Sequence, residues 1–173
     1  MSKELPSREQ AIRLLQKNGC PPIVVRHCEA VAKVALELAG KLQSKGVKVD
    51  LRLVEDGALL HDLGRSKTNG VDHGLIGAQI AESEGLPQPL VKVIIRHVGG
   101  GITPQEAEQF GWPKNNYMPQ TIEEKIVSYA DKVVDNGKRV PIDLEIERLK
   151  PKYPDAAERV RRIHQEIEGL IQN

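Results

Sequence analysis

The sequence predicts an all-α fold, one domain of about seven to nine helices, and three observations carry that expectation. Apolar residues recur at three- and four-residue steps, capping signals open one segment after another, and no stretch alternates with period two. Composition agrees: 39% of residues are apolar but only 3% are aromatic, so Leu, Ile, Val and Ala must fill the core. A chain of 173 residues fits a single domain over 1–173, with its core at about 20–140 and terminal helices at 7–18 and 143–171 packed on it.

The elements follow in order. Ser7 with Gln10 forms a capping box before Ala11-Ile12-Arg13-Leu14-Leu15, and Asn18-Gly19 stops that helix. Pro21-Pro22 opens a long helix in which Val24, His27, Cys28, Val31, Val34, Ala35 and Leu38 share a face, ending near Gly46. Asp50 caps a third helix that runs through Leu59 and Leu60 into His61-Asp62 and stops near Gly64; a polar loop continues to Asp72. A fourth helix covers about 73–84, and Pro87 starts a fifth that leads to His97. Gly99-Gly100-Gly101 reads as a flexible link to a short helix boxed by Thr103 and Glu106, followed by a Pro- and Asn-rich loop from Gly111 to Pro119. Thr121 with Glu124 boxes the helix that carries Asp131, and two further helices lie near 143–150 and 155–171.

Charge narrows the partners. Twenty-five Lys and Arg face 24 Asp and Glu, a net charge of +1, which leaves no broad electrostatic footprint for a nucleic acid or a membrane. Cys20 and Cys28 lack CxxC spacing and fit a reducing compartment, so the expected location is cytoplasmic. Met1-Ser-Lys-Glu-Leu-Pro lacks the apolar core of a signal peptide, and no run approaches the roughly 20 apolar residues of a membrane span.

The case for a site begins with polar residues on apolar faces. Leu59-Leu60-His61-Asp62-Leu63 places a carboxylate where core belongs, and a buried unpaired carboxylate is costly unless a cation or strong donors compensate it. His27, His97 and Asp131 are similar anomalies on other helices, as expected when several elements converge on one centre. Imidazole with carboxylate suits a divalent ion such as Zn, Mn, Fe, Co, Ni or Mg, and the lack of a thiolate cluster argues against a structural zinc finger. A bound divalent ion lowers the pKa of its water from about 15.7 towards about 7, which supplies a nucleophile. Taken singly, each His also reads as a satisfied core residue, and His61-Asp62 as an ordinary helix C-terminus.

Taken as an ordered set, His27, His61-Asp62 and Asp131 resemble the pattern of the HD-domain superfamily of metal-dependent phosphohydrolases. Leu60-His61-Asp62-Leu63-Gly64-Arg65 is similar to its HDIG variant, and His73-Gly74-Leu75-Ile76-Gly77-Ala78 to the H-x-x-x-G-A helix start of the same subgroup. The strip from Asp72 to Asp131 looks like bacterial HD hydrolases of diadenosine tetraphosphate. It also looks like archaeal HD proteins without an assigned substrate, in which Arg96-His97-Val98-Gly99-Gly100-Gly101-Ile102-Thr103 would be at home. The resemblance implies one or two divalent ions held by His27, His61, Asp62 and Asp131, with His73 and His97 holding a second ion or facing a phosphate. It also implies a small phosphorylated substrate, a nucleotide in particular, and is compatible with a homodimer. Two departures stand out. Val98 replaces the second His that many two-ion relatives carry, and Arg65 replaces the usual Lys, which makes it a bidentate phosphate clamp and not a general acid.

On that basis Asp62 is expected to serve as ligand and proton acceptor, with Arg65, Lys132 and Arg96 offsetting phosphate charge. Gly99, Gly100 and Gly101 are candidates to cradle a phosphate, and Trp112 and Tyr117 to stack on a base. The roles of Lys138 and Arg139 stay open. His164 reads as a surface residue and Cys28 as a small buried apolar group. Two alternatives to hydrolysis are a mixed-valence di-iron oxygenase and a nucleotide-binding module with little turnover.

Overall fold

The computed structural model describes residues 4–173; the expectation about Met1, Ser2 and Lys3 at the start of the chain lies outside them. Among the described residues there are nine α-helices: α1 (Arg8–Lys17), α2 (Pro22–Ser44), α3 (Leu51–Leu60), α4 (His73–Ser83), α5 (Gln88–Ile95), α6 (Pro104–Gln109), α7 (Ile122–Lys132), α8 (Ile142–Leu149) and α9 (Pro154–Gln172). No helix among them is long and apolar enough to cross a membrane.

Local chemistry sets the helix ends. The Ser7 hydroxyl accepts from the Gln10 amide while the Gln10 side chain accepts from the Ser7 amide, and Thr103 and Glu106 repeat that reciprocal pair. Thr121 caps the Glu124 amide as expected, but the Glu124 carboxylate does not return to Thr121. It accepts instead from the Gln120 amide at 2.7 Å and from Arg96 at 2.9 Å.

Helix α2 lies at the centre, burying Cys28, Val31, Ala32, Ala35, Leu38, Ala39 and Leu42 against α3 and α7. Leu59, Leu60, Ile94, Ile126 and Ile167 complete one apolar cluster that draws on every α-helix except α6. Each fully buried Leu or Ile contributes about 1.5–3 kcal/mol. Close backbone approach shapes the region that matters most. The 3₁₀ turn Leu63–Ser66 crosses the start of α4 so tightly that a Cβ on Gly64 would collide with the His73 carbonyl oxygen.

Beside the helices lies a small antiparallel hairpin, β1 (Val134–Asp135) and β2 (Lys138–Arg139), too short to show a period-two pattern. Its Asn136-Gly137 turn has φ of 50° and 74°, the double positive φ that two-residue hairpins favour. The Gly99–Gly101 segment is not a flexible link. It forms a 3₁₀ turn over Val98–Gly100 packed on α9, where a Cβ on Gly100 would lie 3.1 Å from the Val160 amide nitrogen.

Candidate metal centre

Six side chains converge from five helices. His27 stands in the second turn of α2, His61 caps α3 with Asp62 following it, and His73 opens α4; His97 follows α5, and Asp131 sits one residue before the end of α7. They form two clusters that share one member: His27, His61, Asp62 and Asp131, and Asp62, His73 and His97. Asp62 Oδ2 faces the first cluster, 3.7 Å from His27 Nε2 and 3.5 Å from His61 Nε2. Its Oδ1 faces the second, 3.4 Å from His73 Nε2 and 3.5 Å from His97 Nε2.

The backbone fixes which nitrogen each ring presents. His61 Nδ1 lies 2.6 Å from the Ala58 carbonyl, His73 Nδ1 2.8 Å from that of Gly70 and His97 Nδ1 2.6 Å from that of Ile94. A carbonyl only accepts, so each Nδ1 carries the proton and each Nε2 turns inward. The consequence is sharpest where His73 Nε2 and His97 Nε2 meet at 3.0 Å, because two lone pairs at that distance repel unless a proton or a cation lies between them. The same span suits two ligands of one ion, since bonds of about 2.1 Å at a right angle separate their nitrogens by about 3.0 Å. His27 Nε2 and His61 Nε2 approach Asp131 Oδ1 to 2.9 and 3.2 Å, a comparable arrangement. The donor set therefore fits divalent ions.

Electrostatics point the same way. Burial favours the neutral acid of Asp62, but His61, His73 and His97 outweigh it and hold the carboxyl well below its ordinary range. Burial likewise acts against the Asp131 carboxylate and is outweighed by Lys132, then His61 and His27, again leaving it ionised. For His61, burial opposes the charged ring but Asp62, Cys28 and Asp131 raise its pKa well above the usual value. Burial pushes His97 down to about 4. Both cysteine thiols are pushed up by burial, Cys20 to about 11, so neither is a ready thiolate ligand.

His27, Asp62, His73, His97 and Asp131 line a cavity of about 740 Å³, while His61 is fully buried and does not reach it. Arg65 lines it, with Nε 3.3 Å from Asp62 Oδ2 and Nη1 3.3 Å from the Asn69 carbonyl. Lys132 also lines it, but its ammonium is committed, donating to the His97 carbonyl, the Ser128 carbonyl and Asp131 Oδ2 at 2.7, 3.3 and 3.0 Å. Those three bonds account for its three N–H groups. Arg96 lies outside the cavity wall, held by both carboxylate oxygens of Glu124 at 2.9 and 3.0 Å.

Of the glycines, Gly99 lines the cavity, whereas Gly100 is buried against α9 and the Gly101 amide donates to the Val98 carbonyl. A three-glycine phosphate cradle is therefore not formed. Trp112 and Tyr117 do not line the cavity; they are buried with Ile102 and Ala107 in a small second apolar cluster. His164 is half-buried: its Nδ1 lies 2.9 Å from the oxygen of the Tyr129 hydroxyl, whose one proton is donated to Glu168. Lys138 and Arg139 are exposed on β2 and do not line the cavity, and Arg139 reaches Glu37 at 3.8 Å.

The far wall of the cavity was missed. Phe110, Leu149, Tyr153 and Ala156 line it, with Phe110 and Tyr153 edge to face at 6.4 Å between ring centroids. Arg159 joins them, donating to both oxygens of Glu106 and to the Gly101 carbonyl. A loop aromatic and a residue between two C-terminal helices have no periodic signal that places them together.

An all-helical scaffold that brings four His and two Asp together, five of them on the wall of one cavity, has the donor set of a metal centre. The HD domain model matches residues 24–135, and the chain belongs to the HD-domain family. An uncharacterized protein of Methanocaldococcus jannaschii is 42% identical over 166 residues, covering 94% of this chain and 98% of the relative. The tRNA (cytidine(56)-2'-O)-methyltransferase of Picrophilus torridus is 37% identical over 169 residues, covering 97% of this chain but only 48% of its own length. A solved structure of the L. monocytogenes phosphodiesterase PgpH HD domain in complex with cyclic-di-AMP matches with a TM-score of 0.58 at 18% identity, over 94% of both chains, which establishes the likeness of fold.

Proposed function

We propose that the chain hydrolyses a phosphate ester or anhydride of a small molecule, most suitably a nucleotide, with one or two divalent ions held by His27, His61, Asp62, Asp131, His73 and His97. The observation that carries the reading is Asp62, whose two oxygens face two donor clusters beside a cavity large enough for a mononucleotide. The family and the phosphodiesterase named among the structural neighbours support it. So does a 28% identical Ribonuclease Y of Acidothermus cellulolyticus, of which the chain spans 27%.

A divalent ion in this setting supplies Lewis acidity and acidifies a water molecule. The chain's own residues do the rest. The Nδ1–H bonds of His61, His73 and His97 to carbonyls hold three rings in place before substrate arrives. Asp62 Oδ2 has the Arg65 guanidinium beside it, whereas Oδ1 faces only the His73 and His97 rings, so with the first cluster alone filled Oδ1 is the oxygen free to accept a proton from water. Arg65, on the cavity wall, offsets phosphate charge. Val71, Val98 and Ile102 exclude water, and the Phe110 and Tyr153 wall offers a face for a nucleobase.

The test is a phosphate-release screen of nucleoside mono- and polyphosphates, cyclic dinucleotides and dinucleoside polyphosphates against protein loaded in turn with Mn, Co, Ni, Fe, Zn and Mg. Turnover with at least one ion is expected. Tight binding without product would convert the reading to a sensing module, and product formation that requires dioxygen would convert it to an oxygenase.

A further inference from the structure

The two carboxylates are not deployed alike. Asp62 turns one oxygen to each cluster, but Asp131 turns only Oδ1 inward, towards His27 and His61 at 2.9 and 3.2 Å. Its Oδ2 is taken by Lys132 Nζ at 3.0 Å. That ammonium cannot drift, because the His97 and Ser128 carbonyls hold it at 2.7 and 3.3 Å and the side chain is only 6% exposed.

We propose that Lys132 is a positioning residue that keeps Asp131 a one-oxygen ligand, so that the place its second oxygen would take on a bound ion stays free for water or a substrate oxygen. The inference rests on the metal-binding reading above. Carboxylates ligate through one oxygen or both, and a catalytic site differs from a structural one by an open position. With Oδ2 released, a small rotation about the Asp131 side chain brings both oxygens to bear, and the ion gains a ligand where it needs a vacancy. Lys132 also removes net negative charge from the cluster, so it restrains ion affinity while serving turnover.

The experiment compares native protein with Lys132→Met and Lys132→Arg, using Mn²⁺ alone. Affinity is read by electron paramagnetic resonance of free Mn²⁺, and exchangeable waters on the bound ion by proton relaxation. Lys132→Met should bind Mn²⁺ on the order of tenfold more tightly, since a unit positive charge has gone from beside the site, and should carry fewer waters. Lys132→Arg should keep close to native affinity and water count. Looser Mn²⁺ binding, or an unchanged water count, in a Lys132→Met variant that melts cooperatively would overturn the proposal. If that variant does not fold, a crystal of native protein soaked in Mn²⁺ decides: one Asp131 oxygen on the ion and the other on Lys132 supports it, and both oxygens on the ion overturns it. Native protein that binds no Mn²⁺ would remove the metal reading itself, a different failure.

Discussion

The two donor clusters differ in charge and in their response to protons. The cluster of His27, His61, Asp62 and Asp131 has two carboxylates, and together with Cys28 they raise the pKa of its buried His61 well above the usual value. The cluster of Asp62, His73 and His97 has only the shared carboxylate, and its His97 is pushed down to about 4, so that ring stays neutral at ordinary pH. One cluster favours positive charge on its buried ring, and the other disfavours it at His97. The difference teaches that ions should fill the two unequally, the first before the second, and that Asp62 is the member on which both depend.

Asp62→Ala breaks the comparison altogether and should have the largest effect. Both clusters lose their shared carboxylate, so metal analysis after dialysis should find neither ion and turnover should fall by about 10³-fold or more. Activity that survives with normal metal content would sink the mechanism.

The pH dependence of metal-free protein sharpens it. The raised pKa of His61 gives stability that is fully present below the unfolded value of about 6.5 and is lost as pH rises through the folded value. The depressed pKa of His97 works oppositely: its contribution is present above about 6.5 and is lost as pH falls towards 4, about 3 kcal/mol in all. Asp62 and Asp131, with lowered values, add losses only below their unfolded pKa of about 3.9. Metal-free protein should therefore melt highest near pH 6.5 and lower on either side. His97→Gln should flatten the acid limb alone, and a saturating divalent ion should displace the His61 proton and raise the alkaline limb. A single monotonic trend would show that the clusters are electrically alike.

The smallest effect tests the cation beside Asp62. Arg65→Lys keeps the charge but loses the planar fork, and should raise the KM for phosphate substrates by about tenfold with metal content unchanged. Loss of metal would mean that Arg65 serves Asp62 alone.

Much of the site was legible because its residues violate their surroundings: His61 and Asp62 interrupt a leucine run, and Asp131 sits among Ile126, Val127 and Val133. The helix ends were legible because capping is local, as at Ser7 and Thr103. What failed was tertiary direction. Arg96 lies one residue before His97, yet it turns to Glu124 on α7, and no spacing within α5 encodes that partner. Trp112 and Tyr117 pack on each other at 5.2 Å and bury their faces, while Phe110, two residues earlier, reaches the cavity. The hairpin at Val134–Arg139 is too short for periodicity, although Asn136-Gly137 carried its signal.

His27 is the ligand that separates ion exchange from unfolding. Its side chain is 26% exposed, against 0% for His61 and 2% for His97, and it stands on the cavity side of α2 near the exposed Ile23. Release of that one ring opens the first cluster to solvent while the apolar core stays packed. Exposed side chains change rotamer in picoseconds to nanoseconds, far faster than a helical bundle opens. At the proposed site, release of an ion requires only that one side chain to turn, so a chelator should strip the metal and an excess of added metal should reload it without denaturing the protein.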